Sequence, residues 1–202
     1  MRRAALLWRS PHFCGRRFKA CLIQFDTRLP WIMNVRSSVE SRRSAGGVTT
    51  MDKNELIRAL LAEGFTRSAW HGPNLQQSLK GVRAKQAAWR PARGRHNIWE
   101  LALHSAYWKY AVRRRIEGEK RGSFVLKGSN FFTRPEKGKA TEAAWRADLG
   151  LLEKEHRALE QSVRRVLKTN PSRKLLRMLY GIAFHDIYHA GQIRLLRRLM
   201  ES

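Results

Sequence analysis

The chain has 202 residues, 43% hydrophobic and 9% aromatic, which is enough apolar material for a packed core and excludes global disorder. Its 41 Lys and Arg against 16 Asp and Glu give a formal charge of +25, which suits nucleic acid, an anionic membrane surface or acidic small ligands without choosing among them. No apolar run approaches the about 18 residues of a membrane span, and two cysteines, Cys14 and Cys21, exclude a disulfide scaffold or a cysteine-based zinc finger.

Residues 1–50 carry a strong basic excess, hold both cysteines and show no steady apolar period. They end in the polar run Ser41-Arg42-Arg43-Ser44-Ala45-Gly46-Gly47. Three readings compete: a basic nucleic-acid arm, an Arg-rich organellar presequence, or upstream sequence before a start at Met51 or Met33. The abrupt onset of capped helical sequence at Met51 favours the last, and the segment is expected to be poorly ordered. No apolar stretch after the first arginines resembles a secretory signal, so a cytoplasmic location is expected.

Residues 51–202 read as one all-α domain. Asp52, three before Glu55, marks a helix start; Leu56, Leu60 and Leu61 follow, and Gly64 is a stop. Gly72-Pro73 opens a short helix with Leu75, Leu79 and Val82. Pro91 to Arg95 is a loop. Asn97 with Glu100 opens a long helix to about Glu117. The stretch 118–140 is a long Gly- and Lys-rich connection and a candidate lid or ligand loop, whose Phe124, Phe131 and Phe132 can dock on the bundle. Thr141 caps a helix to about Leu167, and Asn170-Pro171 starts the last, which runs to about Met200. An antiparallel four-helix bundle with a short extra helix is the economical arrangement.

Three histidines interrupt the apolar stripes. On the last helix Leu175, Met178, Ile182, His185, His189, Ile193 and Leu196 recur every third or fourth residue, so two imidazoles one turn apart occupy inward positions. On the 97–117 helix Leu101, His104, Trp108 and Ala111 do the same. Three inward histidines suit a divalent metal with an open position, as in catalytic sites. The alternative is neutral core histidines with satisfied hydrogen bonds. Tyr188, Gln192 and Asp186 are placed to support the ligands, although Asp186 also reads as a surface residue. A zincin helix is disfavoured, because an Asp stands where its Glu belongs and no third ligand follows. No general base stands out: His71 and His96 lie in loops, and His156 among charged residues reads as solvated.

Asn97-Ile98-Trp99-Glu100-Leu101-Ala102-Leu103-His104, with Tyr107-Trp108, resembles the first ligand segment of the DinB-like proteins, which include the YfiT-like metal-dependent hydrolases. His185-Asp186-Ile187-Tyr188-His189-Ala190-Gly191-Gln192-Ile193 resembles their closing motif, and Trp70-His71-Gly72-Pro73 an upstream segment. The resemblance covers about 52–202. It implies a four-helix bundle with an unusual crossover, zinc or nickel held by His104, His185 and His189, and a homodimer. Some relatives transfer low-molecular-weight thiols or isomerise their adducts. No cysteine follows residue 50, so a thiol would have to come from a cofactor.

The basic runs Arg113-Arg114-Arg115, Arg164-Arg165 and Arg197-Arg198 fall near helix C-termini, where cations complement the helix dipole. Two functions of different class follow. One is a metal-dependent hydrolase or thiol transferase acting on a small molecule. The other is a basic module for nucleic acid or an acidic partner, with a structural or vestigial metal.

Overall fold

The computed structural model describes residues 51–136 and 140–201; the basic extension expected over 1–50 lies outside the described residues. Six helices follow in order: α1 (Lys53–Phe65), α2 (Leu75–Leu79), α3 (Ala84–Ala88), α4 (Ile98–Glu117), α5 (Glu142–Val166) and α6 (Arg173–Glu201). No helix among the described residues is long and apolar enough to cross a membrane.

The helix starts follow local side-chain chemistry. The Asp52 carboxylate accepts from the amides of Asn54 and Glu55, Asn97 Oδ1 from the Glu100 amide, and Thr141 Oγ1 from the Ala144 amide. At α6 the cap is Ser172, whose hydroxyl accepts from the Leu175 amide. Gly118 ends α4 with φ of 71°, a left-handed conformation that costs glycine nothing. The expected single helix after Pro73 is two. Asn74 and Gln77 form a capping box for α2, Gly81 then turns the chain at φ of 76°, and the Arg83 amide finds Gln86 Oε1 at the head of α3.

Four long helices make the bundle, and their directions follow from which ends touch. At one end Trp99 Nε1 donates to Asp148, joining the starts of α4 and α5. At the other, Glu117 meets Ser162 and Arg165, joining their ends. The two helices therefore run the same way. Lys53 and Asn54 reach Asn170 and Leu167 at the start of α6, so α1 and α6 run together in the opposite sense. The 118–136 stretch returns along α4: the Tyr110 hydroxyl meets Ser123, Phe124 packs on Tyr107, and the Arg134 carbonyl accepts from Asn97 Nδ2. This is the crossover that two parallel consecutive helices require.

The core has two parts. One gathers Phe65, Leu75, Ile98, Trp99, Trp145, Leu152 and Ile193, and the other Ile57, Leu61, Leu159, Val163, Leu179 and Ile182. On α1 the buried face is Ile57, Leu61, Gly64 and Phe65, whereas Leu56 is exposed. On α6 it is Leu179, Ile182, Asp186, His189, Ile193 and Leu196, with Leu175 and Met178 only half-buried.

Two corrections concern polar residues in this core. Asp186 is fully buried and forms an ion pair with the equally buried Lys109 of α4. Burial pushes the Asp186 carboxyl up and the Lys109 ammonium down, and each group stabilises the other's charge. His156 is not solvated. It is 2% exposed and stacks on Phe65 with ring centroids 3.9 Å apart, and the Lys109 ammonium lies 4.5 Å from the Phe65 centroid. Neither His156 nitrogen has a hydrogen-bond partner, since Glu160 Oε1, at 3.5 Å from Nε2, does not form one. Burial, with Lys109 adding to it, holds His156 down at about 2.

A histidine of ordinary value near 6.5 in the unfolded chain binds a proton that the folded chain refuses. Its contribution to stability is therefore constant above about pH 6.5 and falls by roughly 1.4 kcal/mol per unit below it. His156→Leu should remove that slope and gain about 1.4 kcal/mol on the native chain between pH 7.5 and 5.5. Urea unfolding at both values checks this; identical pH responses of the two proteins would contradict it.

Candidate metal centre

His104 lies two turns into α4 and His185 and His189 one turn apart on α6, so the packing of α4 on α6 brings the three rings together. His104 Nε2 stands 3.0 Å from His185 Nε2, and His189 Nε2 stands 3.1 Å from it. These nitrogens lie within 4.8 Å of one another, and they are the one group of three metal-ligating side chains among the described residues.

The opposite ring atoms settle the proton positions. His104 Nδ1 is 3.0 Å from the Asn130 backbone carbonyl, which can only accept, so Nδ1 carries the hydrogen. His189 Nδ1 donates to Gln192 Oε1 at 2.6 Å, and Gln192 Nε2 in turn donates to the Tyr188 hydroxyl at 3.1 Å. His104 and His189 therefore both present Nε2 lone pairs to His185. With a hydrogen on His185 Nε2 only one of them is satisfied and the other meets no donor; with the hydrogen on Nδ1 instead, both contacts set lone pairs face to face. A cation among the three removes that repulsion. A single ion with bonds to nitrogen of about 2.1 Å brings neighbouring donors to roughly 3.0–3.4 Å of each other; the two spacings to His185 already match, and His104 and His189, within 4.8 Å of each other, would draw together on the ion.

Electrostatics keep the rings available. Burial, helped by His189, holds His104 down at about 4; burial, then the other two histidines and Lys109, holds His185 down at about 3. Burial also lowers His189, against the bond to Gln192. All three are neutral at physiological pH, the form that ligates metal.

The cluster forms one wall of a cavity of about 720 Å³ lined also by His96, Leu101, Phe131, Tyr188 and Leu195. The crossover reaches in with Asn130, whose φ of 67° is left-handed, and with Phe131, which stacks on His104 at 4.0 Å and on His96 at 3.7 Å. The model of the DinB superfamily matches residues 69–193, which is more than half of the chain and contains all three histidines. The chain belongs to the DinB superfamily. No curated protein and no solved structure matches it. In this DinB-type bundle the match is narrower than the expected 52–202, leaving α1 and the end of α6 outside.

Gln192 touches a cluster histidine and Tyr188 steadies Gln192, whereas Asp186 turns to Lys109 instead. His71 is exposed and stands apart from the cluster. His96, a loop residue by sequence, stands in the cavity wall. Its Nδ1 is 3.0 Å from Glu100 Oε2, and Glu100 is gripped by the Arg90 guanidinium and the Arg134 amide. Burial pushes Glu100 up, and these hydrogen bonds more than reverse it, so it is held below its ordinary range. The signal available in the sequence was the i, i+4 spacing of His96 and Glu100, hidden because Glu100 already reads as part of a helix start.

Proposed function

We propose that this chain is a metal-dependent enzyme, a hydrolase or a transferase of low-molecular-weight thiols, with His104, His185 and His189 as ligands of zinc or nickel. The observation that carries the reading is the convergence of three Nε2 atoms on one cavity wall, two with their lone pairs aimed inward by fixed partners. Bound there, a divalent ion would supply Lewis acidity to a water or thiol entering the cavity.

The rest falls to the chain's own groups. No carboxylate, serine or cysteine is among the described residues that line the cavity, so the nucleophile is water or an exogenous thiol. His96, steadied through Nδ1 by Glu100, is the lining residue that can take up a proton at Nε2 and return it. The largely apolar lining suits a substrate with an apolar body, and Arg95 at the rim suits one with an anionic end.

The test is a panel of esters, amides and thiol adducts turned over by zinc- or nickel-loaded protein. His96→Gln should lower kcat by about 100-fold to 10,000-fold with metal content unchanged. Full rate in that variant would remove His96 from the chemistry, and failure to hold metal after supplementation would remove the whole reading.

A further inference from the structure

A second cleft, of about 740 Å³, lies between the outer face of α4 and the crossover, with Trp108 in its wall. Trp108 also faces the metal cluster, its ring 6.3 Å from that of His104 and 6.2 Å from that of His185. Its Nε1 is tied to Asn130 Oδ1 at 3.0 Å, so the ring is fixed between the two cavities.

Four cations line this cleft, Arg114, Arg115, Arg121 and Lys127, and no carboxylate does. What sets the cleft apart is that four cations converge on one concavity with no carboxylate, whereas some neighbouring cations are tied down. Arg113, one residue earlier, is paired with Glu117 at 2.8 Å and Glu119 at 3.2 Å. Arg165 is paired with Glu117, and Arg197 donates to the carbonyls of Ser78 and Lys80. In the cleft, Arg114 donates to the Glu119 backbone carbonyl at 3.0 Å, which cancels no charge. Arg115 lies 5.8 Å from the Trp108 ring centroid. Arg121 and Lys127 form no ion pair among the described residues. Four like charges around a concavity with aromatic walls repel one another and focus a positive potential into it. A ligand with several negative charges relieves that repulsion, and guanidinium forks are matched to phosphate and carboxylate oxygens.

We propose that this cleft is a binding site for a small polyanion carrying two or more phosphate or carboxylate groups, seated against Trp108. A cleft of this volume takes a small molecule. An extended nucleic-acid face would draw on the other arginine pairs, and one member of each, Arg165 and Arg197, is already engaged within the bundle.

The test is calorimetric titration of the full chain with inorganic pyrophosphate at near-physiological salt. One saturable site per chain is expected, weakened about tenfold or more in Arg115→Gln/Arg121→Gln/Lys127→Gln. The charge-matched variant Lys154→Gln/Lys168→Gln/Lys174→Gln, altered at exposed positions outside the cleft, should bind as the native chain does. Binding should also survive in His185→Ala/His189→Ala, which keeps this site distinct from the metal reading; loss there would mean chelation at the histidines and overturn the proposal. Equal weakening in both lysine- and arginine-depleted variants, absence of saturation, or tighter and equally diffuse binding of a duplex oligonucleotide would overturn it as well.

Discussion

Asp186→Ala is expected to lower the unfolding free energy by about 3–5 kcal/mol, a large share of what a domain of this size has. The substitution removes the partner of an ammonium that has no exposed surface, packed against the Phe65 ring and beside His156. Lys109 must then keep an uncompensated charge in the core or give up its proton, and burial already pushes it toward the second. Lys109→Met combined with Asp186→Leu should recover most of the loss, because two apolar side chains of similar size need no partner. Denaturant unfolding of both variants, with unchanged denaturant sensitivity as the sign of an intact two-state transition, measures this. A single-variant cost below about 1 kcal/mol would show that the pair contributes little.

Stripping metal from the native chain should destabilise it by roughly 4 kcal/mol relative to protein held at a thousandfold excess over the dissociation constant. The reason is linkage. The three Nε2 atoms are assembled only when α4 and α6 pack, so an ion that needs all three binds the folded state and not the unfolded one. His185→Ala/His189→Ala should unfold at the same temperature with and without chelator, because one histidine cannot hold the ion. Thermal unfolding with added zinc, added nickel and chelator distinguishes the cases. A native chain indifferent to all three would leave the cluster as neutral core histidines.

Much of the frame was legible before any coordinates. Asp52, Asn97 and Thr141 mark helix starts because their side chains satisfy orphan amides within three residues, a purely local event. The three histidines were legible because a polar ring breaks an apolar period. What escaped depends on partners distant in sequence. Asp186 and Lys109 look like surface residues until two helices pair them across the core. His156 sits among Lys154, Glu155 and Arg157, and those neighbours point elsewhere on the helix while it turns toward Phe65. The break between α2 and α3 was missed for a different reason: the spacing of Leu75, Leu79 and Val82 is compatible with one helix, and only the left-handed turn at Gly81 divides it. The role of 118–136 could be guessed from its length, but not that it would hand a carbonyl to His104.

The segment that identifies the family is smaller than the piece of chain that holds itself together. It begins at Ala69, past α1, and ends at Ile193, short of Leu196. Yet Ile57 and Leu61 of α1 fill the same part of the core as Leu179 and Ile182. Gly64 comes so near α6 that a β-carbon there would stand 3.0 Å from the Ala183 carbonyl oxygen. A gene fragment trimmed to the recognisable stretch would strip the cover from one whole side of the histidine-bearing helix. Inheritance and packing have different borders in this chain, and a fragment that keeps this core needs α1 and the whole of α6 as well as the matched stretch.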